Sequence, residues 1–189
     1  TRALSYAESE KGIDRVATRF LCGRLALRMG DPEGSIFHLD KGLLAAESGD
    51  PESYTPLLIA MRARALIILG RDDAGRADLE RAEGMLSTLA VPRKSQVMVV
   101  MALGYQILEV PEQALRLASE AARIAVSRGF RMWSLTALSI VAVVTEDEDE
   151  AAAVRSSARD IAEILCDSVP DDQITNFLER PRIRALLQP

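Results

Sequence analysis

The chain has 189 residues, 48% hydrophobic and 27% charged, with a formal net charge of −5 from 23 Lys and Arg against 28 Asp and Glu. That length suits one ordinary domain or one short repeat array, and the composition is that of a folded chain rather than a disordered one. The acidic balance argues against a general nucleic-acid binder. No apolar run approaches the roughly 20 residues of a membrane-spanning helix, and a single histidine with two cysteines excludes the common His/Cys metal sites.

Helix formers fill every long segment, and no stretch alternates apolar with polar residues over a strand's length, so an all-α fold is predicted, its helices cut by Gly and Pro. In chain order, residues 1–12 are polar and mixed in charge, which predicts no secretory leader. Within them, 3–11 read as the end of a repeat helix whose hairpin partner would precede Thr1. Four helical hairpins are then predicted over 13–49, 53–90, 93–129 and 131–167. Residues 170–188 are expected to form a C-terminal cap over the last hairpin, with Ile174, Phe177 and Leu178 on one apolar face and Ile183, Leu186 and Leu187 on another. Asp31-Pro32 and Thr55-Pro56 each place a capping residue before a proline at the first helical position. Thr145 with Glu148 reads as a capping box. The acidic run from Glu146 to Glu150 reads as a first helical turn complementing the macrodipole, without the glycine and spacing of a calcium loop. Cys22 and Cys166 lie in apolar helical patterns and read as buried, reduced thiols. With the absent leader, they predict a cytoplasmic protein.

The hairpins share a period. Gly23 to Gly30-Asp31 followed by Ser35, Leu39 and Gly42 matches Ala63 to Gly70-Arg71 followed by Gly75, Leu79 and Ala82. Ala102, Tyr105 and Glu109 followed by Ala114, Ala118 and Ala121 form a third copy. Ser35, Gly75 and Ala114 are thus about 40 residues apart, and Ser139, Ala142, Ala151 and Ala158 trace a weaker fourth copy. Helix ends recur as well, at Ala46 to Gly49, Ala125 to Gly129 and Ala7 to Gly12. Small residues at such points let two helix backbones cross closely, and a hairpin built this way buries its apolar faces only by stacking on its neighbours.

On Gly23, Gly30-Asp31, Ala63, Leu66, Gly70, Ala82, Ala102, Tyr105, Ala114 and Ala121, the sequence resembles the tetratricopeptide repeat over about residues 13–166. It departs from that family in its longer period, in lacking the opening tryptophan and closing proline, and in carrying Glu109-Val110-Pro111-Glu112 where a Gly-Asp turn is expected. The resemblance implies an α-solenoid of about four helix-turn-helix repeats, a superhelix closed by a C-terminal capping helix. Long-period repeats of this kind look like those of multidomain bacterial regulators, which implies the C-terminal repeat domain of a larger signalling or transcription-regulating protein.

Nothing in the chain predicts catalysis or a cofactor. His38 has no Ser or Cys elbow beside it, and phosphate-binding glycine loops and zinc-protease motifs are absent. The expected function is therefore a non-enzymatic interaction module that binds a protein or peptide, or another domain of its parent. The first helices would line the concave face, placing Phe20, Arg24, Leu27 and Arg28, then Leu57, Ala60, Met61, Arg64 and Ile67, then Gln96, Val99, Leu103 and Gln106, and finally Trp133, Thr136 and Ile140 on an apolar groove with arginines at one end. Of these, Phe20, Arg24, Arg28, Leu57, Met61, Arg64, Gln96, Val99, Leu103, Gln106, Trp133 and Thr136 are the candidate partner-binding residues. Arg24 and Arg64 would be neighbours on adjacent hairpins, suited to a carboxylate or phosphate. A small-ligand sensor and an oligomerising scaffold are the alternatives.

Overall fold

A computed structural model describes residues 13–47, 54–168, 170–179, 183, 184 and 186. Among them every element is helical: α1 Ile13–Arg28, α2 Pro32–Glu47, α3 Thr55–Ile68, α4 Asp72–Gly84, a single 3-10 turn Leu86–Thr88, α5 Val91–Ile107, α6 Pro111–Ser127, α7 Arg131–Val144, α8 Glu148–Cys166 and α9 Asp171–Leu178. The expected helix end in 1–12, the turn around Gly49 and the chain at Arg180-Pro181 lie outside the described residues.

Four helix ends use the same device. After α1, Gly30 takes φ 78°. Its amide donates to Leu27 O at 3.2 Å, while the Asp31 amide reaches back to Ala26 O at 2.9 Å. This pair of bonds satisfies carbonyls that a helix end would otherwise leave open. Gly70 after α3 and Gly129 after α6 repeat it, with Arg71 N to Leu66 O at 2.9 Å and Phe130 N to Ala125 O at 2.8 Å. After α5 the hydrogen bonds are unchanged (Glu109 N to Gln106 O at 3.3 Å, Val110 N to Tyr105 O at 3.0 Å), but the left-handed residue is Glu109, at φ 56°. The third turn therefore keeps the geometry of the Gly30 and Gly70 turns without their glycine.

Each turn returns the chain to a close crossing. A methyl group on Gly23 of α1 would lie 2.7 Å from Leu39 Cγ and 3.3 Å from Ser35 O of α2. One on Gly75 of α4 would run into Ile67 of α3 and come within 3.1 Å of Ala63 O. Ser35, Gly75 and Ala114 are all buried at matching points of α2, α4 and α6, and their amides bond to Asp31, Arg71 and Val110 respectively, four residues back.

Packing runs between neighbours. Close contacts join α1 to α2, α3 to α4, α5 to α6 and α7 to α8 within pairs; α2 to α3, α4 to α5 and α6 to α7 between pairs; and α1 to α3, α3 to α5 and α5 to α7 along one side. As a result α3 and α5 are enclosed on several sides: Leu57, Leu58, Ile59 and Ala60, and Val97, Val99 and Met101, are all removed from solvent. The first pair differs. Leu21, in the place that Met61 occupies one period later, is 52% exposed where Met61 is 2% exposed. Cys22 and Cys166 are free and only partly buried, correcting the expectation of buried thiols.

Two predicted caps also need correction. Asp31 caps α2 as expected, its Oδ1 accepting from Gly34 N at 2.8 Å. Thr55, however, lies inside α3, whose capping position falls on Tyr54 with no side-chain cap bond. At α8 the cap is Asp147, which accepts from the amides of Asp149 and Glu150, while Thr145 donates its hydroxyl to Glu150 at 2.6 Å. Because α8 begins at Glu148, the residue just before it, Asp147, holds the capping position, and Thr145 lies two residues too early.

A polar clamp on α3 ties the first two pairs together. Arg62 donates Nε and Nη2 to both carboxylate oxygens of Asp78 on α4, at 2.7 and 2.8 Å, and Nη1 to Asp40 on α2 at 2.8 Å. The hydrogen bonds to Asp78, then those to Asp40, hold the guanidinium charged more firmly than usual against the opposing effect of burial. At exposed positions, Arg71 with Glu33 links the same two pairs, and Arg116 with Glu83 links the second pair to the third.

Two stability measurements follow from this geometry. Glu109→Gly relieves a left-handed backbone cost and is expected to add about 0.5–1 kcal/mol, after the unfolded-state entropy of glycine is subtracted; a lower Tm for this variant contradicts the turn assignment. Arg62→Leu strands the buried Asp78 carboxylate and is expected to cost about 3 kcal/mol in denaturant unfolding, whereas Arg71→Ala, at an exposed pair, changes stability by less than about 1 kcal/mol.

Candidate functional site

The side along which α1, α3, α5 and α7 follow one another holds a cavity of about 450 Å³. Its wall is Arg24 and Arg28 of α1, Met61 and Arg64 of α3, Val99, Val100 and Leu103 of α5, and Met132, Trp133, Leu135, Thr136 and Ser139 of α7, with Ile183 and Leu186 from the chain's C-terminal segment. All four first helices thus contribute, and their positions follow the repeat: Arg24, Arg64 and Leu103 occupy equivalent places one period apart. Most of the wall is apolar, no carboxylate lines it among the described residues, and its charge comes from three arginines.

Of the residues expected on this face, Arg24, Arg28, Met61, Arg64, Val99, Leu103, Trp133 and Thr136 line the cavity together. Phe20 does not; it is buried in the core, with its ring centroid 6.3 Å from that of Tyr54 and the Arg24 guanidinium 5.9 Å above it. Leu57 is likewise removed from solvent, because α3 is packed on more than one side. Gln96 is half-buried and accepts from Arg93 Nη1 at 2.8 Å. Gln106 is half-buried and outside the cavity wall.

Several lining residues lay outside the sequence expectation. Val100, Met132, Leu135 and Ser139 widen the arc around positions already chosen, a width that a single helical stripe does not reveal. Ile183 and Leu186 were expected to cover the last hairpin. Both line the cavity, 6% and 3% exposed, together with residues of α1, α3, α5 and α7, the last being the first helix of that hairpin.

His38 is away from this wall. It sits on α2 with Nδ1 3.4 Å from Arg19 Nη1 and its ring edge-on to Phe37. Partial burial and then the Arg19 charge hold its pKa below the ordinary 6.5. Among the described residues no group of three His, Cys, Asp or Glu side chains is arranged to hold a metal ion, and no helix is long and apolar enough to cross a membrane.

Set against known proteins, no family model, no curated protein and no solved structure matches this chain.

The folded state favours neutral His38, so its contribution is present above pH 6.5 and is lost as pH falls through the lowered folded-state pKa. Between about pH 7.5 and about pH 5, wild type should lose stability relative to His38→Gln. The carboxylates common to both cancel in that comparison, and parallel denaturation curves would contradict the effect of burial.

Proposed function

We propose that the chain is a non-enzymatic binding module of tetratricopeptide type: four α-hairpins stacked as a short solenoid, with the cavity on their inner side receiving an amphipathic segment of a partner protein. The observation that carries this reading is the shared wall, in which every first helix supplies side chains to one apolar space edged by Arg24, Arg28 and Arg64. Apolar grooves with methionine and aromatic side chains accommodate the apolar face of a helix, and arginines at one end select the carboxylates beside it. The predominant packing between neighbouring helices and the recurring left-handed turns support the solenoid arrangement. By the same resemblance, we take the module to be part of a larger regulatory protein.

The cavity volume favours one second reading, since about 450 Å³ falls within the range of small-molecule sites. In that case a compact apolar metabolite would raise Tm, and peptides would not.

Trp133, the only tryptophan, reports on the wall directly. Helical peptides selected from a displayed random library against the folded chain should shift its emission to shorter wavelength as they displace solvent. The paired substitution Arg24→Glu and Arg28→Glu should weaken them at least about fivefold at low salt. Saturating peptide that leaves Trp133 emission unchanged places binding elsewhere and defeats this reading.

A further inference from the structure

The polar groups of the cavity wall are unevenly placed. Its positive end belongs to the first two pairs, with Arg24 and Arg28 on α1 and Arg64 on α3. Arg24 and Arg28 stand one turn apart on the same face of their helix, so both guanidinium groups can reach one anion. Arg24 is also steered by the core. Its guanidinium lies 5.9 Å above the ring of Phe20, which is buried and 6.3 Å from the ring of Tyr54.

Toward α5 and α7 the wall turns apolar, with Val99, Val100, Leu103 and Leu135. Two hydroxyls interrupt it, and both are turned onto their own helix. Thr136 Oγ1 donates to Met132 O at 2.9 Å, and Ser139 Oγ donates to Thr136 O at 2.7 Å. Neither has a hydrogen left for a ligand. Among the described wall residues, the indole N–H of Trp133 is then the one side-chain donor besides the arginines, and no carboxylate is present to hold a cation. An occupant therefore meets cations at one end and apolar side chains at the other. A second anionic group would be left unpaired against α5 and α7, and an ammonium group would meet only arginines. The wall thus disfavours dicarboxylates and zwitterions and suits a monoanion with one apolar tail.

Resting on the small-molecule reading of this cavity given above, we propose that it takes from solution a single-chain amphiphilic monoanion, of the class of aliphatic carboxylates. The head lies on Arg24 and Arg28, and the tail runs along α5 and α7. The cavity's volume of about 450 Å³ is in the range of sites for such molecules. A ligand so placed touches helices of the first pair and of the last, so binding ties the array together and raises its Tm.

The test uses the full chain with decanoate as probe, kept below its micelle concentration, and with decanol, decylammonium and decanedioate as comparisons. Decanoate is expected to shift Trp133 emission to shorter wavelength, to raise Tm, and to bind at least about tenfold more tightly than each of the other three at low salt. Arg24 is half-buried and Arg28 exposed, so Arg24→Gln with Arg28→Gln spares the core. In that variant decanoate should fall to within about twofold of decanol, with decanol itself unchanged. Equal binding of decanoate and decanol to wild type overturns the anionic head and leaves an apolar small-molecule site standing. Decanedioate that binds as tightly as decanoate overturns the single-headed wall. Undiminished decanoate affinity in the double variant overturns the placement of the head on α1. Should circular dichroism show that variant unfolded, Arg28→Gln alone decides: a loss of at least about threefold is expected, and no loss overturns the same placement. Trp133 emission and Tm that respond to neither decanoate nor decanol end the small-molecule reading and this inference with it, whereas the peptide reading stands or falls on the library peptides.

Discussion

Close backbone crossing between the two helices of each pair is the constraint on which the rest of the structure depends. At Gly23 against Leu39 and Ser35, and at Gly75 against Ile67 and Ala63, there is no room for even a methyl group unless the neighbouring side chains move. Helices held this near each other need a short return, and the left-handed residue after α1, α3 and α5 supplies it with the same two backbone hydrogen bonds each time. The turns of the first three pairs are thereby made alike. Such pairs can bury their remaining apolar faces against the pair before and the pair after, which is the packing observed.

The two sides of this arrangement have different chemistry. Toward α2, α4 and α6, successive units are joined by charge: the Arg62 clamp on Asp40 and Asp78, and the exposed pairs of Arg71 with Glu33 and Arg116 with Glu83. Toward α1, α3, α5 and α7 they enclose an apolar space whose only charged wall residues, among those described, are arginines. Stability is thus carried by the crossings, the core of α3 and α5, and the clamp. Wall positions such as Arg28 and Thr136 are exposed or half-buried. In the proposed binding reading, an occupant of the cavity would add burial without disturbing the packing that holds the pairs together.

Much of the fold was legible in residues that only backbone geometry explains. Gly30 and Gly70 announced their turns because few residues other than glycine tolerate that conformation, and Ser35, Gly75 and Ala114 announced the crossings because they are small. Glu109 shows the limit: the register located the turn, but its side chain gave no sign of the left-handed backbone it adopts. The caps at Thr55 and Thr145 are not legible in this way, because α3 starts at Thr55 and α8 at Glu148, which leaves Tyr54 and Asp147 in the capping positions. Phe20 and Leu57 were placed on the open face because a helical stripe says which residues are apolar, but not how many neighbours a helix will have. Arg62 was missed because its partners lie 16 and 22 residues away on different helices, a pairing that no local pattern encodes. Ile183 and Leu186 are legible as one apolar face, and both line a wall that α7 of the last hairpin shares with α1, α3 and α5.

The account's central claim is that successive hairpins touch only their neighbours and jointly surround one inner groove. Methyl-labelled NMR of the Ile, Leu, Val and Met side chains tests it most directly. The account predicts cross-peaks that link consecutive helices and helices two apart, together with cross-peaks from Ile183 and Leu186 to methyls of α3, α5 or α7 around the cavity. Strong cross-peaks between α1 and α6, or between α2 and α8, would contradict it, as would Ile183 and Leu186 methyls that meet only α8.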